Sequence, residues 1–129
     1  MKVEDLMLGD WVQGFVPDSY STIYGIFNEQ RIAIIAEPSK AYIELSIDDI
    51  QPIPLTPKIL QKNGFEYLKN CGYEYYDDVV LVRYDTWNER LIIMNDLDVV
   101  FDSKDYSSMC VHELQHALRL CGIDKEVVV

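Results

Sequence analysis

The sequence predicts an α+β fold in two parts, a β-rich first part and a mixed second part. Short runs of branched and aromatic residues recur at close spacing through residues 1–55. The stretch "QPIPLTP" at 51–57 then interrupts the strand pattern with Pro52, Pro54 and Pro57. A second set of strand-like runs follows and leads into one amphipathic helix near the C-terminus.

In the first part, "GDWVQGFV" begins on a Gly-Asp turn, and "YSTIYGIF" alternates as a half-buried strand does. "RIAIIAE" is a short apolar run, and "AYIELS" alternates again. Pro17-Asp18-Ser19, Asn28-Glu29 and Pro38-Ser39 supply the turns between them. Short strands at this spacing suit a small SH3-like β-barrel over residues 1–55, with Trp11 as its core anchor.

The second part, residues 56–129, opens with a helix at "PKILQKN". Thr56 can cap it, Pro57 fits its first position, and Gly64 can end it with a left-handed backbone. "FEYLKNCGYEYY" reads as a hairpin about Asn70-Cys71-Gly72. "VVLVRYD", "ERLIIMN" and "LDVVFD" continue an antiparallel meander through the turns Thr86-Trp87-Asn88 and Asn95-Asp96. The meander is expected to pack on the C-terminal helix, which Asp105 or Ser107 can cap and Gly122 can end. "KEVVV" reads as a last short strand.

Composition excludes several classes. The chain has 129 residues and a net charge of -11, and no two of its Lys or Arg residues are adjacent. Nucleic-acid binding draws on clustered cations, so no nucleic acid is expected as a ligand. The acidity serves solubility, or makes the chain a decoy for a basic protein. Cys71, Cys110 and Cys121 are too few and too scattered for a disulfide framework, which fits a cytoplasmic setting. The N-terminal residues do not read as a signal peptide, and no apolar run approaches the roughly 18 residues needed to span a bilayer.

One stretch carries chemistry. His112-Glu113-Leu114-Gln115-His116 spells H-E-x-x-H, the zinc-peptidase signature. On a helical wheel His112 and His116 lie one turn apart and can converge on one metal ion, with Glu113 placed as general base. Val111, Leu114, Ala117, Leu118 and Cys121 form the apolar stripe, with Met109 and Cys110 joining it, so those cysteines point away from the histidines. Gln115, Arg119 and Leu120 fall with the histidines, and Leu120 suggests a partly covered front. A catalytic zinc needs a third protein ligand, and these are the only two histidines. Arg119 and Gly122 replace the glycine and histidine of the extended motif, leaving Asp102, Asp105, Asp124 or Glu126 as acids without motif support.

Other candidates are weaker. Asp96, Asp98 and Asp102 do not match a calcium loop. The Tyr73 to Asp78 stretch fits a strand with one buried face better than a contact surface. Cys71 has no base beside it in sequence. No phosphate-cradling loop and no G-x-S-x-G elbow is present.

Three phrases, "LGDWV" at Leu8 to Val12, "IQPIPLTPKILQKNGF" at Ile50 to Phe65 and "VHELQHALRLCGI" at Val111 to Ile123, carry a resemblance along the chain. They resemble a family of small uncharacterised proteins of gut-type bacterial genomes and their prophages. The middle phrase is the most specific. The resemblance implies no enzyme activity and no cofactor. Related tail helices read V-H-x-L-Q-N, so Leu114 and Gln115 keep that pattern while Glu113 and His116 depart from it. The expectation is a non-enzymatic accessory or interaction protein of a mobile element, with a protein partner. The alternatives are a zinc-dependent hydrolase using His112, His116 and Glu113, and an acidic decoy.

Overall fold

Antiparallel pairing governs both halves of the chain. The computed structural model describes residues 1–14, 19–96, 98–103 and 109–129. They fall into two units, Met1–Ile53 and Pro54–Val129, so the division lies inside the proline-rich stretch. The class is α+β, with two antiparallel sheets and a C-terminal helix.

The first unit holds β1 (Trp11–Gln13), β2 (Tyr20–Ile26), β3 (Arg31–Ala36) and β4 (Ala41–Ser46), in the order β1-β2-β3-β4. Asn28 closes the β2–β3 turn, because its Oδ1 accepts from the amides of Gln30 and Arg31 at 2.8 and 3.0 Å. The expected Pro17-Asp18-Ser19 turn has Pro17 and Asp18 outside the described residues. A 3-10 turn (Ile47–Asp49) follows β4, its Asp48 amide donating to Ser46 Oγ. The chain then returns to β1, where Gln13 and Gln51 exchange two backbone hydrogen bonds of 2.9 Å.

Val12, Ile23, Ile32, Ile34, Leu45, Ile47 and Ile50 pack on the inner face with Leu6. Val12 therefore anchors this core, and Trp11 does not. Neighbouring strand residues face opposite sides, and the register that buries Val12 turns Trp11 outward, half-buried. The strands form no closed barrel among the described residues. Asp10 is buried in the Gly-Asp turn and accepts from the Met7 amide at 2.7 Å. That acid is therefore a turn-former.

The second unit begins with α1 (Pro57–Lys62), whose Ile59 amide donates to Thr56 Oγ1 at 3.3 Å. Gly64 follows at φ 84°, which suits glycine. Five strands come next: β5 (Glu66–Leu68), β6 (Gly72–Asp77), β7 (Val80–Asp85), β8 (Arg90–Asn95) and β9 (Asp98–Asp102). They form a meander in chain order. Its inner face carries Tyr73, Val82, Tyr84, Leu91 and Ile93, all buried. The last element is α2 (Val111–Leu120), with Gly122 beyond it at φ 72°. No helix among the described residues is long and apolar enough to cross a membrane.

The tail differs from expectation. "KEVVV" forms no strand. The Asn63 side chain holds it instead, donating to the Val128 carbonyl at 2.7 Å and accepting from the Val128 amide at 2.8 Å. One amide side chain thus supplies the donor and acceptor that a neighbouring strand would offer.

Candidate functional site

The site is the N-terminal half of α2. Pro54 and Leu55 run beside the approach to the helix: Pro54 bridges to Cys110, and Leu55 donates its amide to the Met109 carbonyl at 3.0 Å. The N-cap is Cys110, and the Glu113 carboxylate reaches back to accept the Cys110 amide at 3.0 Å. Asp105 and Ser107, expected as caps, lie outside the described residues.

That bond gives Glu113 a structural task. A helix leaves its first amides without intrahelical partners, and a carboxylate at the third position satisfies one of them while opposing the positive end of the helix dipole. The residue expected as a general base thus also holds the first turn of the helix.

The wheel placed both histidines and Gln115 on the open side. The structure buries His112 and Gln115, each 7 % exposed, and leaves Leu120 77 % exposed. Six of the helix residues are buried: Val111, His112, Leu114, Gln115, Ala117 and Leu118. They span an arc of roughly 220° at 100° per residue. Hydropathy assigned the polar side chains to water, but a helix covered over more than half its circumference buries them too.

The open sector is narrow. Glu113, His116 and Leu120 face it and, with Phe101, Met109 and Ala117, line a cleft of about 180 Å³. Its walls are largely apolar, with one imidazole and one carboxylate. The cleft was only partly legible in sequence, through the odd position of Leu120 on the wheel. Phe101 comes from β9 and carries no local signal for the site.

The two imidazoles are neighbours, with ring centroids 5.6 Å apart and planes at 76°. This separation is compatible with one shared ion. The donor set does not extend further: among the described residues no group of three or more His, Cys, Asp and Glu side chains is placed to hold a metal ion. Asp102 is taken by Arg90, which donates to both its carboxylate oxygens at 2.9 and 2.6 Å. Asp124 and Glu126 are exposed on the tail, and Asp105 lies outside the described residues. Among the described residues, then, the motif offers two imidazoles, and no third ligand is placed beside them.

Neighbouring titratable groups are held neutral. Burial pushes the Cys110 thiol up to about 11, and the Glu113 carboxylate adds to that shift. Burial pushes Tyr84 up to about 12, with the charges of Glu89, Asp85 and Glu113, and of Cys110 once its thiol ionises, acting the same way. Cys121 is raised by burial as well. None of these groups is tuned toward a thiolate ligand or nucleophile near neutral pH.

The remaining candidates separate. Asp96 sits in a turn at φ 56°, Asp98 begins β9 and Asp102 is ion-paired, so they share no site. Tyr73 and Glu74 are both buried although they face opposite sides of β6, because Arg83 binds Glu74 through Nε at 2.7 Å and Nη2 at 2.6 Å. Cys71 is exposed and, like Cys110 and Cys121, free of disulfide. Comparison with family models, with curated proteins and with solved structures gave no match.

Proposed function

We propose that the protein is a non-enzymatic accessory protein that works by binding another protein, in the setting of a prophage or other mobile element that the sequence resemblance implies. The observation that carries this reading is the bond from the Cys110 amide to Glu113. It commits the motif's would-be base to holding the helix, while His112 belongs to the buried side of α2.

We further read the first unit as SH3-like. The four-stranded meander, the 3-10 turn after β4 and the return of Gln51 to β1 support that reading. Its outer face supplies the surface. Trp11, Thr22, Ile35 and Tyr42 lie in one row across the strands, and Tyr24 stacks edge-on against Tyr42 with centroids 5.5 Å apart. Aromatic-lined faces of such small sheets bind extended peptides. The charge of -11 favours a basic partner, the point at which the decoy reading merges with this one.

The rival is a zinc hydrolase, favoured by the 5.6 Å separation of the imidazoles beside the cleft. Metal content measured on protein purified without an affinity tag decides between them. The expected result is no stoichiometric zinc and a melting temperature that neither zinc nor chelator moves. Stoichiometric zinc that disappears in His116→Ala overturns the proposal.

A further inference from the structure

The two edges of the first sheet are treated differently. On the β1 side Gln51 covers the edge with paired backbone hydrogen bonds. On the other side β4 ends the sheet, and no further strand among the described residues pairs with it. An edge of this kind displays backbone donors and acceptors, and proteins usually blunt it with proline, lysine or a bulge. β4 reads Ala41-Tyr42-Ile43-Glu44-Leu45-Ser46 and pairs with β3 in unbroken register. It carries no proline, lysine or bulge, and its one charged side chain is Glu44.

The direction of the free groups follows from alternation. The Ile47 amide donates to Gln30 across the β3–β4 pair at 2.8 Å. In an antiparallel ladder, bonded positions alternate. Ala41, Ile43 and Leu45 therefore turn their backbone groups to β3, while Tyr42, Glu44 and Ser46 turn theirs outward. The apolar core also runs out to this edge. Ile23, Ile34 and Ile43 form one cross-strand row on the inner face, with exposures of 2, 3 and 37 %. The row stops with an isoleucine that lacks a neighbour on one side.

We propose that β4 docks a second copy of this chain, the two β4 strands pairing antiparallel about a two-fold axis at Ile43. In that register Tyr42 lies opposite Glu44 of the second copy, and the reverse. Both positions carry outward backbone groups, so each pair exchanges its hydrogen bonds. The Tyr42 hydroxyl already donates to Glu44 of its own strand at 3.0 Å, so both side chains suit the exchange. Ile43 meets Ile43 of the second copy, which joins the two apolar rows. The neighbouring registers are worse. Shifted one way, Glu44 faces Glu44 of the second copy, a destabilising like-charge pair. Shifted the other way, Lys40 enters the ladder with a left-handed backbone at φ 60°.

Edge pairing alone buries little area, so the dimer is weak and concentration-dependent. Each chain carries a charge of -11, so added salt should tighten it by screening. The test is sedimentation velocity across a concentration series at low and high salt. Tyr42→Pro removes an outward amide and leaves the β3 ladder intact, so it should weaken the dimer at least about tenfold with the circular dichroism unchanged. Ile43→Cys in a Cys71→Ser background should form a covalent dimer under mild oxidation, because the facing Cα atoms of a non-bonded antiparallel pair lie about 4.5 Å apart. A wild-type chain that stays monomeric throughout overturns the proposal, as does dimerisation unaffected by Tyr42→Pro. Should Tyr42→Pro not fold, absence of the Ile43→Cys cross-link overturns it.

Discussion

Both sheets turn one face to a core and the other outward, yet they finish the outward face in opposite ways. In the second unit part of that face is held by its own charges, Arg83 on Glu74 directly across from it and Arg90 on Asp102 through two bonds, beside an apolar row of Tyr76, Leu81, Met94 and Val99. In the first unit the corresponding face is a row of Trp11, Thr22, Ile35 and Tyr42, with Tyr24 beside it. Outer side chains that satisfy one another, as these ion pairs do, are finished as structure. A sheet whose outer side chains are aromatic and half-wet offers contact energy to something else. The second unit should therefore be costly to alter and the first unit's outer face cheap.

The largest effect is expected inside the second sheet. Gly72 has φ 89°, and a Cβ there would lie 2.3 Å from the Tyr84 carbonyl oxygen. Backbone cannot retreat as a flexible side chain can. Gly72→Ala should cost at least about 3 kcal/mol in urea unfolding, combining strain with displacement of β6 from β7. A cost near 1 kcal/mol would show that this sheet is looser than its contacts imply.

Arg83→Ala tests the finished outer face directly. It leaves the Glu74 carboxylate buried without its cation, and the expected cost is on the order of 3 kcal/mol. A neutral result would erase the contrast between the two outer faces.

The helix supplies the third test, because its two histidines should differ. His112 is buried, so His112→Ala should cost about 2 kcal/mol through lost packing. His116 borders the cleft, and His116→Ala should cost about 0.5 kcal/mol or less. Equal losses that both vanish with chelator would instead mark a shared ion.

The same unit should be selectively sensitive to alkali. Tyr84 and Cys110 have folded values raised to about 12 and about 11, above their ordinary values of 10.0 and 9.0. Groups of this kind lend full stability below the ordinary value and lose it as pH rises through the folded one. The melting temperature should therefore fall from about pH 9 to pH 12, and Cys110→Ala should flatten the lower part of that fall. A flat profile would mean that neither group is as buried as its surroundings indicate.

Much of this was legible in sequence, for local reasons. β4 was read at its observed ends because alternation and flanking turns are written in adjacent residues. Thr56 and Gly64 announced the bounds of α1 by their own backbone preferences. What sequence hid was non-local. The wheel put His112 and Gln115 in water because it ranks side chains by polarity and cannot see how much of a helix is covered. "KEVVV" has a strand's composition, yet the partner it found was the side chain of Asn63. The bond from the Cys110 amide to Glu113 was hidden as well, because a capping glutamate and a catalytic one occupy the same place in the motif.

The smallest stability effect belongs to the first unit's outer face, where a small number is the informative one. Tyr24 is largely exposed, and its ring packs edge-on against Tyr42. Tyr24→Ser should change stability by about 0.5 kcal/mol or less, since the ring leaves water on one side only. In a surface kept for binding, the same substitution should weaken capture of a basic peptide or protein by several-fold, as loss of an aromatic contact does. Trp11 emission can follow both, because it reports on the same row while Trp87 lies 89 % exposed in the other unit. If Tyr24→Ser instead destabilises the fold as much as Arg83→Ala does, the aromatic face is structural, and the two sheets are finished in the same way after all.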